Sequence, residues 1–335
     1  MAVLTSSTGG LTGQYQKYFD KKLLTAVLQL LVMDQFGQVR SLPPNMGALT
    51  VRFTRPPAPD QSTVLSLTEG VAPSTDRAFA WTHIDASPAQ VGQKSTISDI
   101  LGSTSLFDTL KGMITLMGQD AGHYLDLQIT KEIVPNATTN KIYSGGNTSW
   151  ANLAAGAAAD SVMTIQDINK AFTKLTIQRA PTASAGDRAP KAKGGDYVCV
   201  VPPQLGYNIK LDPKFIDAGV RGNNDGLFNG EMGTWYGLRL IAGTQPFRED
   251  GGAGAEGTYA ATGNIYSAVC LGGEQFGVVN LASQSPFSPK VIVVDSPDSA
   301  NPLNQYTTVG WKAFFCVKTL KEDWASVIRA QTTFS

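Results

Sequence analysis

The chain has 335 residues, of which 42% are apolar and only 16% are charged. Lysine plus arginine and aspartate plus glutamate both number 27, so the net charge is zero. A dedicated nucleic-acid-binding protein usually carries a basic excess, so we do not expect one here. The length allows about two domains or one elaborate domain, and the apolar fraction is large enough for a sizeable core.

The sequence shows no pattern for export, membrane insertion or disulfide bonding. The first twenty residues lack a basic stretch followed by an apolar core, so we expect no secretory signal. No apolar run reaches the ~18 residues that a membrane-spanning helix needs, so we expect no membrane association. Cys199, Cys270 and Cys316 are far apart and have apolar neighbours, which predicts small buried residues in a reducing compartment.

The chain begins with a polar tail that leads into a helix. Residues 1–13 are mainly threonine, serine and glycine, and we expect this tail to lie against another surface, such as a neighbouring subunit. Apolar and aromatic side chains between Gln14 and Gln35 predict a helix, with Gly37 as its stop.

Two alternating segments then predict an extended hairpin. Leu49, Val51 and Phe53 alternate with polar residues, and a second alternating run covers residues 78–85. The prolines within residues 56–59 exclude regular structure between them. An isolated two-stranded ribbon is marginal in water, so we expect this one to lie on its own subunit or on a partner.

A long amphipathic helix is predicted over residues 103–134. Ser105 and Asp108 form a capping pair at its start, and Lys131 lies near its other end, where the helix dipole favours a cation. Three glycines within it each cost about 1 kcal/mol relative to alanine, so tertiary packing must hold it. The apolar residues recur at spacings of three and four: Leu106, Leu110, Met113, Ile114, Met117, Ala121, Tyr124, Leu125, Ile129 and Ile133.

The second half of the chain predicts an α+β protein, because its strands do not alternate one for one with helices. Thr164 and Asp167 predict a capping box for a helix that ends near Arg179. Surface loops are predicted at residues 180–195 and 248–258. Strands are predicted at residues 197–201, 265–271, 276–281, 290–294 and 310–320, with one more strand and two turns within 227–241.

Motifs for catalysis, cofactors and metals are weak. His83 and His123 have no metal-ligand spacing with another histidine or a cysteine. No nucleophile elbow or phosphate-binding loop is present. The glycines of residues 251–257 follow charged residues rather than a strand, and residues 223–226 fit a turn better than a calcium loop. We therefore expect no catalytic, cofactor-binding or metal-binding residues, and a structural role.

Several segments, in order and at consistent spacing, resemble tailed-phage major capsid proteins of the podophage N-four type, which have the Hong-Kong-97 shell fold. They are VRFTR at residues 51–55, LTEGVAP at 67–73, FNGEMG at 228–233 and PLNQYTTVGWK at 302–312. The resemblance extends from about residue 36 to residue 328.

The resemblance implies a Hong-Kong-97-like α+β fold with a fixed division of the chain. Residues 1–45 would be the N-terminal arm, and 46–97 the extended β-hairpin loop. Residues 98–163 would form the peripheral domain with the spine helix at 103–134, and 164–283 the axial domain. Residues 284–335 would return to the peripheral domain as its C-terminal strands.

The implied function is a major capsid protein of the virion. Copies would form hexamers and pentamers that close, in the host cytoplasm, into an icosahedral head around double-stranded DNA, which they would contact only non-specifically. Further implied partners are portal, scaffolding and decoration or cement proteins. Six charged residues are candidates for fixing the register between subunits: Arg52, Arg55, Glu69, Asp99, Glu231 and Arg239.

Three alternatives remain at this point. An encapsulin-like nanocompartment shell protein shares the fold but encloses protein cargo. An extracellular β-rich surface protein would fit the strand content. An enzyme with an unrecognised site would need a ligand-sized pocket lined by titratable groups.

Overall fold

The computed structural model describes the chain outside residues 1–17, 19–20, 24, 27–30, 43–48, 58–63, 65–68, 71–79, 106–107, 183–196, 213–230, 236, 253, 282–288, 296, 298–300 and 335. The predicted N-terminal tail, most of the predicted extended-loop tip and most of the predicted loop at 180–195 therefore lie outside the described residues.

The described elements confirm the mixed α+β class. The helices are α1 (Asp99–Thr104), α2 (Thr109–Asn136), α3 (Trp150–Ala155), α4 (Ile165–Ile177) and α5 (Pro203–Leu211), with 3-10 turns at Met33–Phe36 and Glu322–Trp324. The strands are β1 (Gln38–Leu42), β2 (Val51–Arg55), β3 (Thr82–Ala86), β4 (Ala89–Ser98), β5 (Lys141–Tyr143), β6 (Tyr197–Val201), β7 (Glu231–Trp235), β8 (Leu238–Ala242), β9 (Phe247–Glu249), β10 (Ile265–Leu271), β11 (Phe276–Leu281), β12 (Lys290–Val294), β13 (Tyr306–Thr319) and β14 (Ala325–Gln331).

Three sheets organise these strands. A five-stranded sheet has the order β1-β11-β13-β12, with β4 also paired to β13 over ten residues. A seven-stranded sheet has the order β5-β14-β10-β6-β8-β7, with β9 paired to β10. β2 and β3 form a separate antiparallel pair, which confirms the predicted hairpin, although β3 begins at Thr82 rather than at residue 78.

The largest apolar core lies between α2 and the sheets. Ile114, Met117, Leu125, Ile129 and Ile133 of α2 are buried in it, together with residues of β10, β11, β13 and β14. This burial confirms most of the predicted apolar stripe. The prediction is wrong for Tyr124, which was expected in the buried stripe but whose side chain is 39% exposed.

The predicted long helix is two helices. α1 ends at Thr104 and α2 begins at Thr109, so the predicted start at residue 103 is wrong. Asp108 is the N-cap of α2, and its carboxylate accepts the N–H of Lys111 at 3.0 Å. Ser105 instead closes α1, and its backbone N–H donates to the carbonyl of Leu101. The Asp108 cap takes the N–H of Lys111, which in a continuous helix would donate to the carbonyl four residues earlier.

Gly118 of α2 allows the N-terminal segment to pack closely. A Cβ atom at this position would lie 2.9 Å from both the carbonyl oxygen of Leu23 and the Cβ of Ala26. Helical residues at positions 21–23 and 25–26 can therefore approach the backbone of α2 only because residue 118 has no side chain. The cost of glycine within the helix is offset by this contact.

The predicted first helix does not continue to Gln35. Leu31 and Val32 are not helical, and a 3-10 turn follows at Met33–Phe36. The cause is Asp126 of α2, whose buried carboxylate accepts the backbone N–H groups of Val32 at 3.2 Å and Met33 at 3.0 Å. In a continuous helix these donors would bond to carbonyls four residues earlier.

Several elements were missed or misplaced in the sequence-based predictions. One missed element is helix α5, which begins at Pro203 directly after β6. A proline is well tolerated in the first turn of a helix. Two strands, β7 and β8, replace the one predicted within residues 227–241. The predicted surface loop at residues 248–258 is wrong at its start. Strand β9 extends to Glu249 and pairs with β10, and Glu249 is fully buried. The other missed elements are β1, β4, β5, β14 and α3.

The capping box of α4 and the burial of two cysteines are confirmed. The carboxylate of Asp167 accepts the backbone N–H of Thr164 at 3.1 Å. Cys199 and Cys270 are fully buried and face each other in register across β6 and β10, whereas Cys316 is partly exposed.

A buried ionic network joins α3 to the seven-stranded sheet. Arg329 of β14 is 1% exposed, and its Nε lies 2.8 Å from Oε1 of the fully buried Glu249. The indole N–H of Trp150 donates to the other oxygen of Glu249 at 2.7 Å. Arg329 also lies 3.3 Å from Glu256, which pairs with Lys141 at 2.9 Å. Each buried charge thus has a partner, which offsets the cost of removing it from water.

Among the described helices, none is both long enough and apolar enough to cross a membrane.

Removing one member of the buried network should be costly. Arg329→Met leaves the buried Glu249 carboxylate without its cation, and we expect a loss of about 3–5 kcal/mol in the free energy of unfolding, measured with urea. The control is Lys318→Met, which removes a partly exposed pair with Glu132 and should cost less than about 1 kcal/mol. Equal effects of the two substitutions would contradict the role of the network.

Asp126 should make stability depend on pH. Burial raises the pKa of Asp126 to about 7, although its two backbone hydrogen bonds oppose this, and the nearby Asp34 raises it further. The unfolded carboxyl titrates near ~4, so the stabilisation is full below that pH and is lost as the pH rises towards about 7.

The test compares urea unfolding of the wild type and Asp126→Asn between pH 4 and 8. We expect the wild type to lose up to about 1 kcal/mol per pH unit more than the variant, because asparagine keeps an acceptor but does not titrate. Thr130→Val, which changes a buried residue of the same helix that does not titrate, is the control and should keep the wild-type slope. The same slope in Asp126→Asn would show that Asp126 is not the titrating group.

Candidate subunit interface

The β2–β3 hairpin is attached to the body of the subunit by a small apolar cluster at its foot. Phe53 is 2% exposed and packs with Ala86, Val279 and Leu320. Gly277 of β11 makes this possible, because a Cβ there would lie 2.6 Å from the Phe53 ring. The hairpin therefore rests with its aromatic anchor directly on the backbone of the five-stranded sheet.

Arg52 points to the other side of the hairpin and pairs with the facing strand. Its Nε and Nη2 donate to the two carboxylate oxygens of Asp85 at 2.7 and 2.8 Å. This bidentate pair raises the pKa of Arg52 and lowers the pKa of Asp85. Both side chains are largely exposed, so they add a charged surface with a fixed geometry to the hairpin rather than much stability.

Arg55 ends β2 and lies against the body of the subunit. Its guanidinium carbon is 4.4 Å from the centre of the Trp324 ring, and one of its nitrogens donates to the backbone carbonyl of Glu274. Burial lowers the pKa of Arg55, and the Glu274 carboxylate opposes this shift. The ammonium of Lys321 lies over the same Trp324 ring at 5.4 Å. A tryptophan thus holds two cations in one place.

A cleft of about 980 Å³ opens beside these residues. The hairpin foot forms one wall with Arg55 and Pro57, and the end of α4 forms another with Ile177 and Arg179. Ile177 is 71% exposed, which leaves an apolar surface at the cleft. The aromatic floor at Trp324, the cations and the apolar rim together form a surface suited to a segment of another protein chain.

The remaining predicted interface residues lie apart from this cleft. Glu69 is exposed in a turn with Gly70, whose φ of 78° suits glycine. Asp99 begins α1, where its carboxylate accepts the N–H of Ile100 at 2.7 Å. Ile100 and Leu101 beside it are 71% and 52% exposed, so this short helix presents an apolar surface next to an acid.

Two predicted residues occupy different kinds of position. Glu231 begins β7, and its side chain lies outside the described part of the structure. Arg239 lies in β8 and is only 3% exposed, so its guanidinium is enclosed within its own subunit. Of the six predicted residues, Arg52 and Arg55 share strand β2 but point to opposite faces of the hairpin, and Arg55 is the one that lines the cleft.

Trp324 is the functional residue that the sequence did not single out for the cleft. It is separated from Arg55 by more than 260 residues, and no local pattern connects an arginine in a strand with a tryptophan in a 3-10 turn. A second unpredicted surface is the outer face of β12, where Ile292 and Val294 are 42% and 39% exposed.

The described residues do not form a metal site, since no three of their histidine, cysteine, aspartate and glutamate side chains are clustered. His83 faces Thr54 across the hairpin, with 3.1 Å between its Nδ1 and the hydroxyl oxygen.

Comparison with known proteins agrees with this architecture. The capsid structure of the cyanophage P-SCSP1u aligns with a TM-score of 0.61 at 15% identity, covering 90% of this chain and 89% of the other. The capsid of Ralstonia phage GP4 gives the same TM-score and identity, with coverages of 90% and 88%. The cyanophage Pam1 capsid gives a TM-score of 0.61 at 13% identity, with 93% of each chain covered. These similarities show the Hong-Kong-97-like fold.

A search of curated protein sequences finds no match. The profile of the family described as phage capsid protein matches residues 84–330, which is well over half of the chain. The hairpin, the long α2 helix and the two larger sheets thus belong to a structural protein of the virion: the chain is a member of the phage capsid protein family, a major capsid protein that forms the phage head.

Proposed function

We propose that copies of this chain form hexamers and pentamers that close into an icosahedral shell around double-stranded DNA. The observation that carries this proposal is the β2–β3 hairpin, which is anchored to its subunit at the foot by Phe53 and Arg55. A two-stranded ribbon gains little stability from itself, so a hairpin attached in this way is suited to contact a neighbouring subunit.

The domain division follows the resemblance described above. We assign residues 1–45 to an N-terminal arm, 46–97 to the extended loop and 164–283 to an axial domain. Residues 98–163 and 284–335 would form the peripheral domain. The last part of the extended loop is β4, which pairs with β13 in the five-stranded sheet and would connect the loop firmly to the peripheral domain.

The exposed and half-buried charges would set the register between subunits. Arg52, Arg55, Glu69 and Asp99 are the best-placed of the predicted residues, because each presents a charge at the surface or in the cleft. Glu231 would act from the start of β7. Arg239 would act indirectly, by stabilising β8 within its own subunit.

Further partners would follow from assembly. Assembly would take place in the host cytoplasm, with portal, scaffolding and decoration or cement proteins as additional contacts. The net charge of zero supports a non-specific relation to the packaged DNA, because the chain lacks the basic excess of a dedicated DNA-binding protein. The chain would have no catalytic function of its own.

Deleting the loop tip tests this proposal. Removal of residues 60–75 should leave soluble monomers or capsomers, because the contact to the neighbouring subunit is lost while the foot of the hairpin remains. Light scattering and negative-stain electron microscopy, both in concentrated salt, show whether the deleted chain forms closed shells. Circular dichroism and thermal unfolding serve as the control that the subunit is still folded. Normal shells from the deleted chain would refute the role of the loop.

A further inference from the structure

We propose that the cleft beside the hairpin foot receives the carboxylate of Glu69 from the loop tip of a second copy of the chain. This inference rests on the proposed function and adds the residues that meet. The cleft is the one bounded by Arg55, Pro57, Ile177 and Trp324.

The first argument is an unused donor in the cleft. Nη1 of Arg55 is buried and has no acceptor among the described residues, whereas Nη2 donates to the carbonyl of Glu274. A buried guanidinium N–H without an acceptor is unfavourable, and a carboxylate is its strongest hydrogen-bonding partner. Lys321 lies over the same Trp324 ring, so a carboxylate beside Arg55 would also be near an ammonium.

Cations and acids both line the cleft, and most of them already have partners. Its lining contains the cations Arg55, Arg179 and Lys321 and the acids Glu274 and Glu322. The carboxylate of Glu322 already accepts the hydroxyl hydrogen bond of Thr138 at 2.9 Å. Lys321 in turn lies 3.9 Å from Asp323, so the charges around the cleft balance, and the feature that favours an acid there is the unused Nη1 of Arg55 beside the Trp324 ring.

The loop beyond the hairpin foot carries the complementary charge. Between residues 56 and 81, Asp60, Glu69 and Asp76 are opposed only by Arg77, which leaves an excess of two negative charges. Glu69 is exposed in the free subunit, so its own cleft does not hold it. An acid with no cation partner among the described residues and a cleft with an unused donor thus occur on the same chain but are not joined within one copy.

The reach of the loop is sufficient for a contact between subunits. Fourteen residues lead from Arg55 to Glu69, and at ~3.3 Å per residue they span at most roughly 45 Å. The approaching segment also carries Val64, whose side chain is 76% exposed. Its apolar surface matches the exposed Ile177 at the cleft, so apolar contact would surround the ionic one, as is usual at protein interfaces.

Chemical cross-linking tests the contact in the unmodified chain. A carbodiimide joins a carboxylate to a nearby amine as an amide, with loss of water. Shells assembled from equal amounts of ¹⁴N- and ¹⁵N-labelled chains should yield a Glu69–Lys321 cross-link that contains one label of each kind. The inference would be overturned if every Glu69–Lys321 cross-link joined peptides with the same isotope label, or if closed shells gave no cross-link between these residues.

Charge reversal provides the second test. Glu69→Arg changes an exposed residue and should slow shell assembly at least tenfold without changing the thermal unfolding of the subunit. Arg55→Glu should also slow assembly, and the double variant Arg55→Glu/Glu69→Arg should recover at least part of the rate. Asp76→Arg, which changes charge by the same amount in the same loop, is the matched control and should have a smaller effect.

The outcomes separate this inference from the proposed function. Shells from Glu69→Arg at the wild-type rate, or a double variant slower than both single variants, would overturn the inference and leave the capsid function intact. A wild-type chain that stays monomeric under all assembly conditions would overturn the proposed function, and this inference with it.

Discussion

A two-stranded ribbon cannot bury enough apolar surface to fix its own position, and this constraint governs the β2–β3 hairpin. The described contacts that hold the hairpin to the body are all at its foot. Phe53 rests on Gly277, where a side chain would collide with the ring, and Arg55 lies over Trp324. Arg40 of β1 adds a third contact, because its Nη1 donates to the carbonyl of Arg52 at 3.0 Å, and the contacts at the foot thus set the direction in which the hairpin leaves the subunit. Any change in the surface beneath them would redirect the hairpin.

That surface is kept rigid by contacts far from the hairpin. The foot stands on β11 and β13, and α2 packs against β13 through the largest apolar core. Asp126 ties the N-terminal segment to the middle of α2, and Arg329 reaches the carbonyl of Val134 near its end while holding Glu249. Both contacts use buried polar groups, which are expensive unless fully paired. Because misplacing them is costly, they specify one arrangement of helix and sheets.

The sequence predicted those parts of the fold that depend on neighbouring residues. Alternation identified the hairpin, and the Thr164–Asp167 pair identified the start of α4. Prediction from the sequence failed where residues far apart in the chain determine the local structure. β1 exists as a strand because it pairs in parallel with β11, more than 200 residues away. Glu249 was predicted to be exposed, but it is buried and forms an ion pair with the buried Arg329. The candidate interface shows the same limit, since Arg55 was identified by its resemblance to a motif while Trp324, its partner, had no local signal.

The half-buried state of Arg55 suits a subunit that must be stable both alone and in a shell. A fully buried guanidinium would need a complete set of acceptors within one chain, and an exposed one would lose little by remaining in water. Arg55 lies between these limits, with one nitrogen bonded to Glu274 and another unused. Arg55 is thus held within its own subunit, and under the proposed contact it would gain a charge-assisted hydrogen bond from an incoming carboxylate. A single contact of this kind is weak and reversible. Repeated around a closed shell, many such contacts favour the complete particle while still allowing misplaced subunits to dissociate during assembly.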